Sequence, residues 1–199
     1  MEEHRQQAES LRALFGRRRQ GLSPDEVRAG STAVAQLVLG EDWYLAARSV
    51  ALYGAIKNEV DTSAIFEDCT ERGVRVLFPR VVAAGGRRLV FAEVASAGEL
   101  SPGAYGIPEP SEEAVVGHLA DVDLVVVPGL AFDRSGGRIG FGQGYYDIAL
   151  AAAPRPLRVG LAWEWQLMPP EERVPTGPLD QPMDHVVTPI GVVRTRSRG

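Results

Sequence analysis

Residues Val125 to Asp147, VVVPGLAFDRSGGRIGFGQGYYD, leave this chain few ways to fold. An almost purely apolar run ends at Pro128, and a loop follows that carries Gly129, Gly136, Gly137, Gly140, Gly142 and Gly144. After the last glycine come an aromatic pair, an Asp and an alanine-rich segment that reads as a helix. Strand, glycine loop and helix is the geometry in which bare backbone N–H groups and a helix N-terminus hold an anion. Glycines let the main chain take positive φ and approach a phosphate where a Cβ would intrude. Arg138 brings a planar fork of donors suited to phosphate oxygens. Asp147 stands where a carboxylate can hold a divalent cation beside those phosphates. The loop lacks the Gly-Lys-Ser/Thr of a P-loop, and its glycine spacing is not GxGxxG. By pattern alone it fits a phosphate site and a plain surface connection equally well.

The remaining chain alternates strands with helices. Val122 to Val127 is apolar throughout, as a central parallel strand buried on both faces must be. Further strands are predicted over Ser49–Ala55, Val74–Phe78 (closed by Pro79), Leu89–Val94, Leu157–Ala162 and His185–Thr188, with Gly85-Gly86 turning the second into the third. Helices are predicted from Glu3 to Arg19, from the capping box Ser23-Pro24-Asp25-Glu26 to Gly40, from Asp61-Thr62 to Gly73, from Ser111 toward Leu119, and from Tyr145 to Ala153. In the first helix Ala8, Leu11, Leu14 and Phe15 form the apolar stripe. This order predicts an α/β fold: three-layer, with a mostly parallel sheet, helices on both faces and a small antiparallel excursion, residues 1–199 forming one domain. Ligands in such sheets sit beyond the carboxyl ends of the strands, which places the loops after Tyr53, Pro79 and Pro128 on one rim.

Composition narrows the function. With 45% hydrophobic and 24% charged residues and a net charge of −5, the chain is ordinary globular material without the broad basic face that nucleic-acid binding needs. Arg17, Arg18 and Arg19 read as a solvated helix end, and Arg194, Arg196 and Arg198 as a frayed tail. Cys69, the single cysteine, falls in an apolar helical pattern and reads as a small core residue. MEEHRQQAES has no apolar signal-peptide core, and no run is long enough for a bilayer, so the expectation is a cytoplasmic protein without membrane or nucleic-acid partners, monomeric or weakly dimeric. His4, His118 and His185 share no metal-ligand spacing.

Taken together, the motifs resemble the 5-formyltetrahydrofolate cyclo-ligases, also called methenyltetrahydrofolate synthetases. They are Leu11-Arg12 and Leu22-Ser23, NEVDT at Asn58–Thr62, GIPEP at Gly106–Pro110, VPGLAFD…GGRIGFGQGYYD at Val127–Asp147, Gln166, and LDQPMDHVVTP at Leu179–Pro189. The resemblance spans nearly the whole chain. It implies a reaction in which ATP, with Mg2+, phosphorylates the formyl oxygen of 5-formyltetrahydrofolate. A second folate nitrogen then attacks the formyl carbon and phosphate leaves, giving 5,10-methenyltetrahydrofolate. A formyl oxygen is a poor leaving group and its phosphate ester a good one, so the protein's task is positioning and charge neutralisation.

Carried onto this sequence, the resemblance implies that Gly140, Phe141, Gly142, Gln143, Gly144, Tyr145 and Tyr146 wrap the triphosphate. Arg12 lies near the nucleotide, and Arg138, with Tyr145, stands at the transferring group. Asp147 and Asp180 hold Mg2+, with Asp184 as the alternative to Asp180. Glu59 accepts from the amino edge of the pterin, while Tyr53, Gly54, Tyr105 and Tyr145 surround the folate. Tyr53 and Tyr146 are equally well placed to be core aromatics. The chain departs from the family at Ala8, where a Lys is usual, at Phe141 and Gln143 inside the loop, and at Ile148, where an Arg is frequent. Arg5, sharing a helical face with Ala8, is the replacement cation. The alternative reading is a catalytically weakened or non-catalytic folate- or nucleotide-binding relative.

Overall fold

The computed structural model describes residues 2–82 and 86–195; Gly85, in the expected turn, and Arg196 and Arg198 of the tail lie outside the described residues. The chain opens with two helices, α1 (Glu2–Gln20) and α2 (Pro24–Leu39). The expected capping box starts α2: the Glu26 amide donates to Ser23 Oγ at 3.3 Å and the Ser23 amide to the Glu26 carboxylate at 2.8 Å. Short α3 (Asp42–Leu45), β1 (Ser49–Ala51), α4 (Ser63–Glu71), β2 (Arg75–Val82) and β3 (Arg88–Glu93) follow. Next come β4 (Leu100–Pro102), β5 (Pro108–Pro110), β6 (Val116–Gly117), β7 (Leu124–Val127), β8 (Ala131–Phe132) and β9 (Arg138–Ile139). The last elements are α5 (Tyr145–Ala151), β10 (Leu157–Leu161), β11 (His185–Thr188) and β12 (Gly191–Arg194).

Eight strands form one sheet in the order β12-β11-β10-β7-β1-β2-β3-β6. The five from β11 to β2 run parallel, and β12, β3 and β6 add antiparallel edges. Successive residues of β7 feed opposite faces, as strand geometry requires. Leu124 and Val126 pack with Ile65 of α4 and Val34 of α2, whereas Val125 and Val127 pack with Leu150 of α5. The fold is therefore the expected three layers. α1 lies outside them, with Ala8 and Phe15 against Ala131 and Ile139. From β1 the chain crosses to β2 on one side and afterwards builds β7, β10 and β11 on the other. The carboxyl ends of β1 and β7 thus flank the switch point, where crossovers diverge and leave a crevice. No helix among the described residues is long and apolar enough to cross a membrane.

Three expectations are corrected. β2 does not close at Pro79 but runs to Val82: its pairing with β1 ends at Leu77, so Pro79 faces Phe91 of β3 alone and its missing N–H falls where the strand has one neighbour. The segment from Ser111 to Leu119 is not a helix. Val116 and Gly117 pair with β3, whose Glu93 amide donates to the Val115 carbonyl at 2.9 Å, so an open sheet edge outweighs local propensity. The long glycine loop contains the β8–β9 hairpin. Buried Asp133 shapes it, accepting from the amides of Ser135 (2.8 Å), Gly137 (2.9 Å) and Val174 (3.0 Å).

Candidate active site

A cavity of about 390 Å³ opens at the switch point. The turn after β1 lines it with Tyr53, Gly54, Ile56, Lys57 and Glu59; β2 and the β4–β5 hairpin contribute Pro79, Val81, Tyr105, Ile107 and Glu109. Every residue from Arg138 to Asp147 faces it, as do Arg12 of α1 and Asp180.

Within the loop, Gly142 (φ 89°) and Gly144 (φ 73°) take left-handed conformations that a Cβ would strain. The Gly140 carbonyl accepts from Arg12 Nε at 3.0 Å, and the Gln143 carbonyl from Arg87 at 3.3 Å. The amides of Gly140 through Gly144 donate to no acceptor among the described residues. Carbonyls claimed by cations and amides left over are what a bound anion requires. Arg138 lies beneath, 7% exposed, donating to Asp147 Oδ1 at 2.7 Å and to the Pro128 carbonyl at 3.3 Å. Asp147 Oδ1 also accepts from the Gln181 amide at 3.2 Å, and Asp180 Oδ2 from the Gly177 amide at 2.7 Å. The second oxygen of each carboxylate has no donor among the described residues. Among the described residues no group of three or more His, Cys, Asp or Glu is gathered for a metal.

On the other wall, Lys57 (φ 49°) and Asn58 (φ 58°) both turn left-handed and deliver Glu59 inward. Asn58 Nδ2 secures that turn by donating to the carbonyls of Arg19 (3.1 Å) and Leu22 (3.0 Å) at the end of α1. Glu59 is buried; its oxygens accept from Arg19 (3.3 Å) and from the Ile56 amide (3.0 Å). Burial pushes its carboxyl above the usual range, against the lowering pull of Arg19. Tyr53 is both a core aromatic and a lining residue: its hydroxyl donates to the Val60 carbonyl at 2.7 Å. Tyr146 lies in the field of Glu59, and its buried hydroxyl has no partner among the described residues. Gly54 packs so closely on β5 that a Cβ would meet the Pro108 carbonyl at 2.5 Å. Tyr105 (φ 59°, 69% exposed) lines the same cavity as Tyr145.

The structure thus brings Arg12, Tyr53, Gly54, Glu59, Tyr105, Arg138, Gly140 through Tyr146, Asp147 and Asp180 to one cavity. Arg5 is not brought there. It sits two turns before Arg12, about 10 Å along the axis, and pairs with Glu9 on the exposed face. Asp184 is not an alternative to Asp180: it is buried, with Oδ2 accepting from the Arg158 amide at 2.8 Å. Arg19, read as solvated, is 2% exposed. The signal was present, since Ala8, Arg12, Phe15 and Arg19 are spaced 4, 3 and 4 apart on one helical stripe. Glu109 and Lys57 also line the cavity without having been assigned, although both flank or belong to the quoted motifs.

A model described as the 5-formyltetrahydrofolate cyclo-ligase family matches residues 4–189. The structure of Aquifex aeolicus 5,10-methenyltetrahydrofolate synthetase superposes with a TM-score of 0.82 at 34% identity, covering 96% of this chain and 94% of that one. The 5-formyltetrahydrofolate cyclo-ligase of Mycolicibacterium smegmatis is 31% identical, over 87% of this chain and 90% of its own. That of Escherichia coli K12 is 29% identical, over 90% of this chain and 98% of its own.

Proposed function

The chain belongs to the 5-formyltetrahydrofolate cyclo-ligase family, and from that premise we propose that it is an ATP- and Mg2+-dependent ligase converting 5-formyltetrahydrofolate to 5,10-methenyltetrahydrofolate. The observation that carries this reading is the shared cavity: the unclaimed amides of Gly140 to Gly144 and the carboxylate of Glu59 face the same space.

In this reading the loop amides and Arg12 bind the phosphates of ATP, and Glu59 accepts from the donor-rich amino edge of the pterin. Tyr105 and Tyr145 close over the flat ring, and the Tyr146 hydroxyl offers its free hydrogen-bonding capacity beside Glu59. The γ-phosphoryl group passes to the formyl oxygen as its bond to ADP breaks. Attack of N10 on the formyl carbon, loss of the N10 proton and cleavage of the carbon–oxygen bond then release phosphate. Arg138 holds a fixed charge under the loop where negative charge shifts between oxygens, so it needs no reorganisation. Asp147 and Asp180 would hold Mg2+, each through a carboxylate oxygen that has no donor among the described residues. Bound there, Mg2+ supplies neutralisation of the transferring phosphoryl group.

Mixing the protein with 5-formyltetrahydrofolate, ATP and Mg2+ is expected to generate the methenyl chromophore in the near ultraviolet. A flat trace at high protein concentration, alongside an active control enzyme, overturns the reading.

A further inference from the structure

We propose that Arg19 is a positioning residue for folate recognition, holding Glu59 as the ionised acceptor and tying it through Phe141 to the glycine loop. The inference deepens the proposed function and rests on it. Arg19 is 2% exposed on the buried stripe of α1. Its Nη1 donates to Glu59 Oε1 at 3.3 Å, and its guanidinium carbon lies 5.1 Å from the centroid of the Phe141 ring. One cation therefore touches the carboxylate of the β1 turn and an aromatic ring of the phosphate loop. The two walls are far apart in sequence, and α1 is what they share: Arg12, two turns earlier, donates to the Gly140 carbonyl.

A buried ion pair is poor evidence of stabilisation, because removing both charges from water costs about as much as their attraction returns. Arg19 Nε is buried without a partner among the described residues, and a single 3.3 Å contact to Glu59 is not a pairing optimised for stability. What the pair does supply is charge control. Burial drives the Glu59 carboxyl toward protonation, and Arg19 is the strongest opposing influence, with the Ile56 amide and Lys57 behind it. The other groups facing Glu59 are the hydroxyls of Tyr53 at the end of β1 and Tyr146 of α5, both held neutral by burial. Arg12, Glu109 and Arg138 line the same cavity. A protonated Glu59 loses one of the two acceptor oxygens that the amino group and ring N–H of a pterin edge need.

The test compares Arg19→Gln, Arg19→Lys, Phe141→Ala, Glu59→Gln and the double variant Arg19→Gln/Glu59→Gln in the turnover assay across pH, after thermal unfolding has identified the folded proteins. Arg19→Gln is expected to raise the KM for 5-formyltetrahydrofolate on the order of tenfold, the loss of one charge-assisted contact. It is also expected to move the acid limb of kcat/KM to higher pH, because Glu59 then protonates more easily; Arg19→Lys moves the limb back. In the Glu59→Gln background the same change adds little, since the charge to be held is gone. Phe141→Ala, on the exposed loop, is expected to raise the folate KM as well as that for ATP. Coincident acid limbs in wild type and Arg19→Gln, losses that multiply in the double variant, or a Phe141→Ala effect confined to ATP each overturn the role of Arg19. Should Arg19→Gln not fold, the Phe141→Ala comparison decides. Absence of wild-type turnover overturns the reaction itself, a separate outcome.

Discussion

Arg138 reaches the cavity already paired, 2.7 Å from Asp147. Replacing Arg138 by Ala is expected to lower kcat about 10²–10³-fold, the cost of losing one preorganised electrostatic partner, while leaving the folate KM within a few-fold. Steady-state rates over a Mg2+ titration check it, with an added rise in the Mg2+ requirement because Asp147 loses the donor that orients it. At this scale the sequence led to cavity-lining residues where a motif names them, as for Glu59, Arg138 and Asp147. It was read poorly where a residue type carries a strong prior: three consecutive arginines look solvated, and only the stripe through Ala8, Arg12 and Phe15 says that Arg19 alone turns inward. Arg5 failed for the converse reason, since a shared helical face says nothing about reach along the axis.

The glycine loop is an element whose members are not interchangeable. At Gly142, φ is 89° and an added Cβ would come within 3.3 Å of the Arg12 guanidinium; at Gly144, φ is 73° and nothing lies near. Gly142→Ala is therefore expected to raise the KM for ATP about tenfold, through left-handed strain of about 1–2 kcal/mol together with a displaced Arg12. Gly144→Asn, in which the side chain tolerates that conformation, is expected to stay within a few-fold of wild type, and initial rates at varied ATP separate the two. The elements misread from sequence were those decided by distant partners. Pro79 stops a strand only if both sides need its N–H, and Val116-Gly117 becomes a strand because β3 has a free edge. The capping box before α2 needed no such partner and was read to the residue.

Across the molecule, the parallel sheet from β2 to β11 could be anticipated because βα alternation admits few chiral, unknotted arrangements. The antiparallel turn of β2 into β3 was anticipated as well, but the edge strands β6 and β12 were not, because they depend on which strand is left unpaired. One edge carries a pH response. His185 of β11 stacks on Trp43 with centroids 5.3 Å apart, and its buried Nδ1 has no partner among the described residues. Burial holds its imidazole below the ordinary 6.5, outweighing the opposing pull of Asp184. The unfolded chain thus takes up the proton first, so this contribution to stability is complete above 6.5 and is lost as the pH falls through and below that value. His185→Phe, which keeps the stack, is expected to flatten the change in urea midpoint between about pH 5 and pH 7. The clasp formed by α1 has a consequence for biosynthesis. Its two inward arginines, Arg12 and Arg19, leave the ribosome long before Gly140 and Asp180 exist, so the cavity whose walls they join cannot close until translation is nearly done.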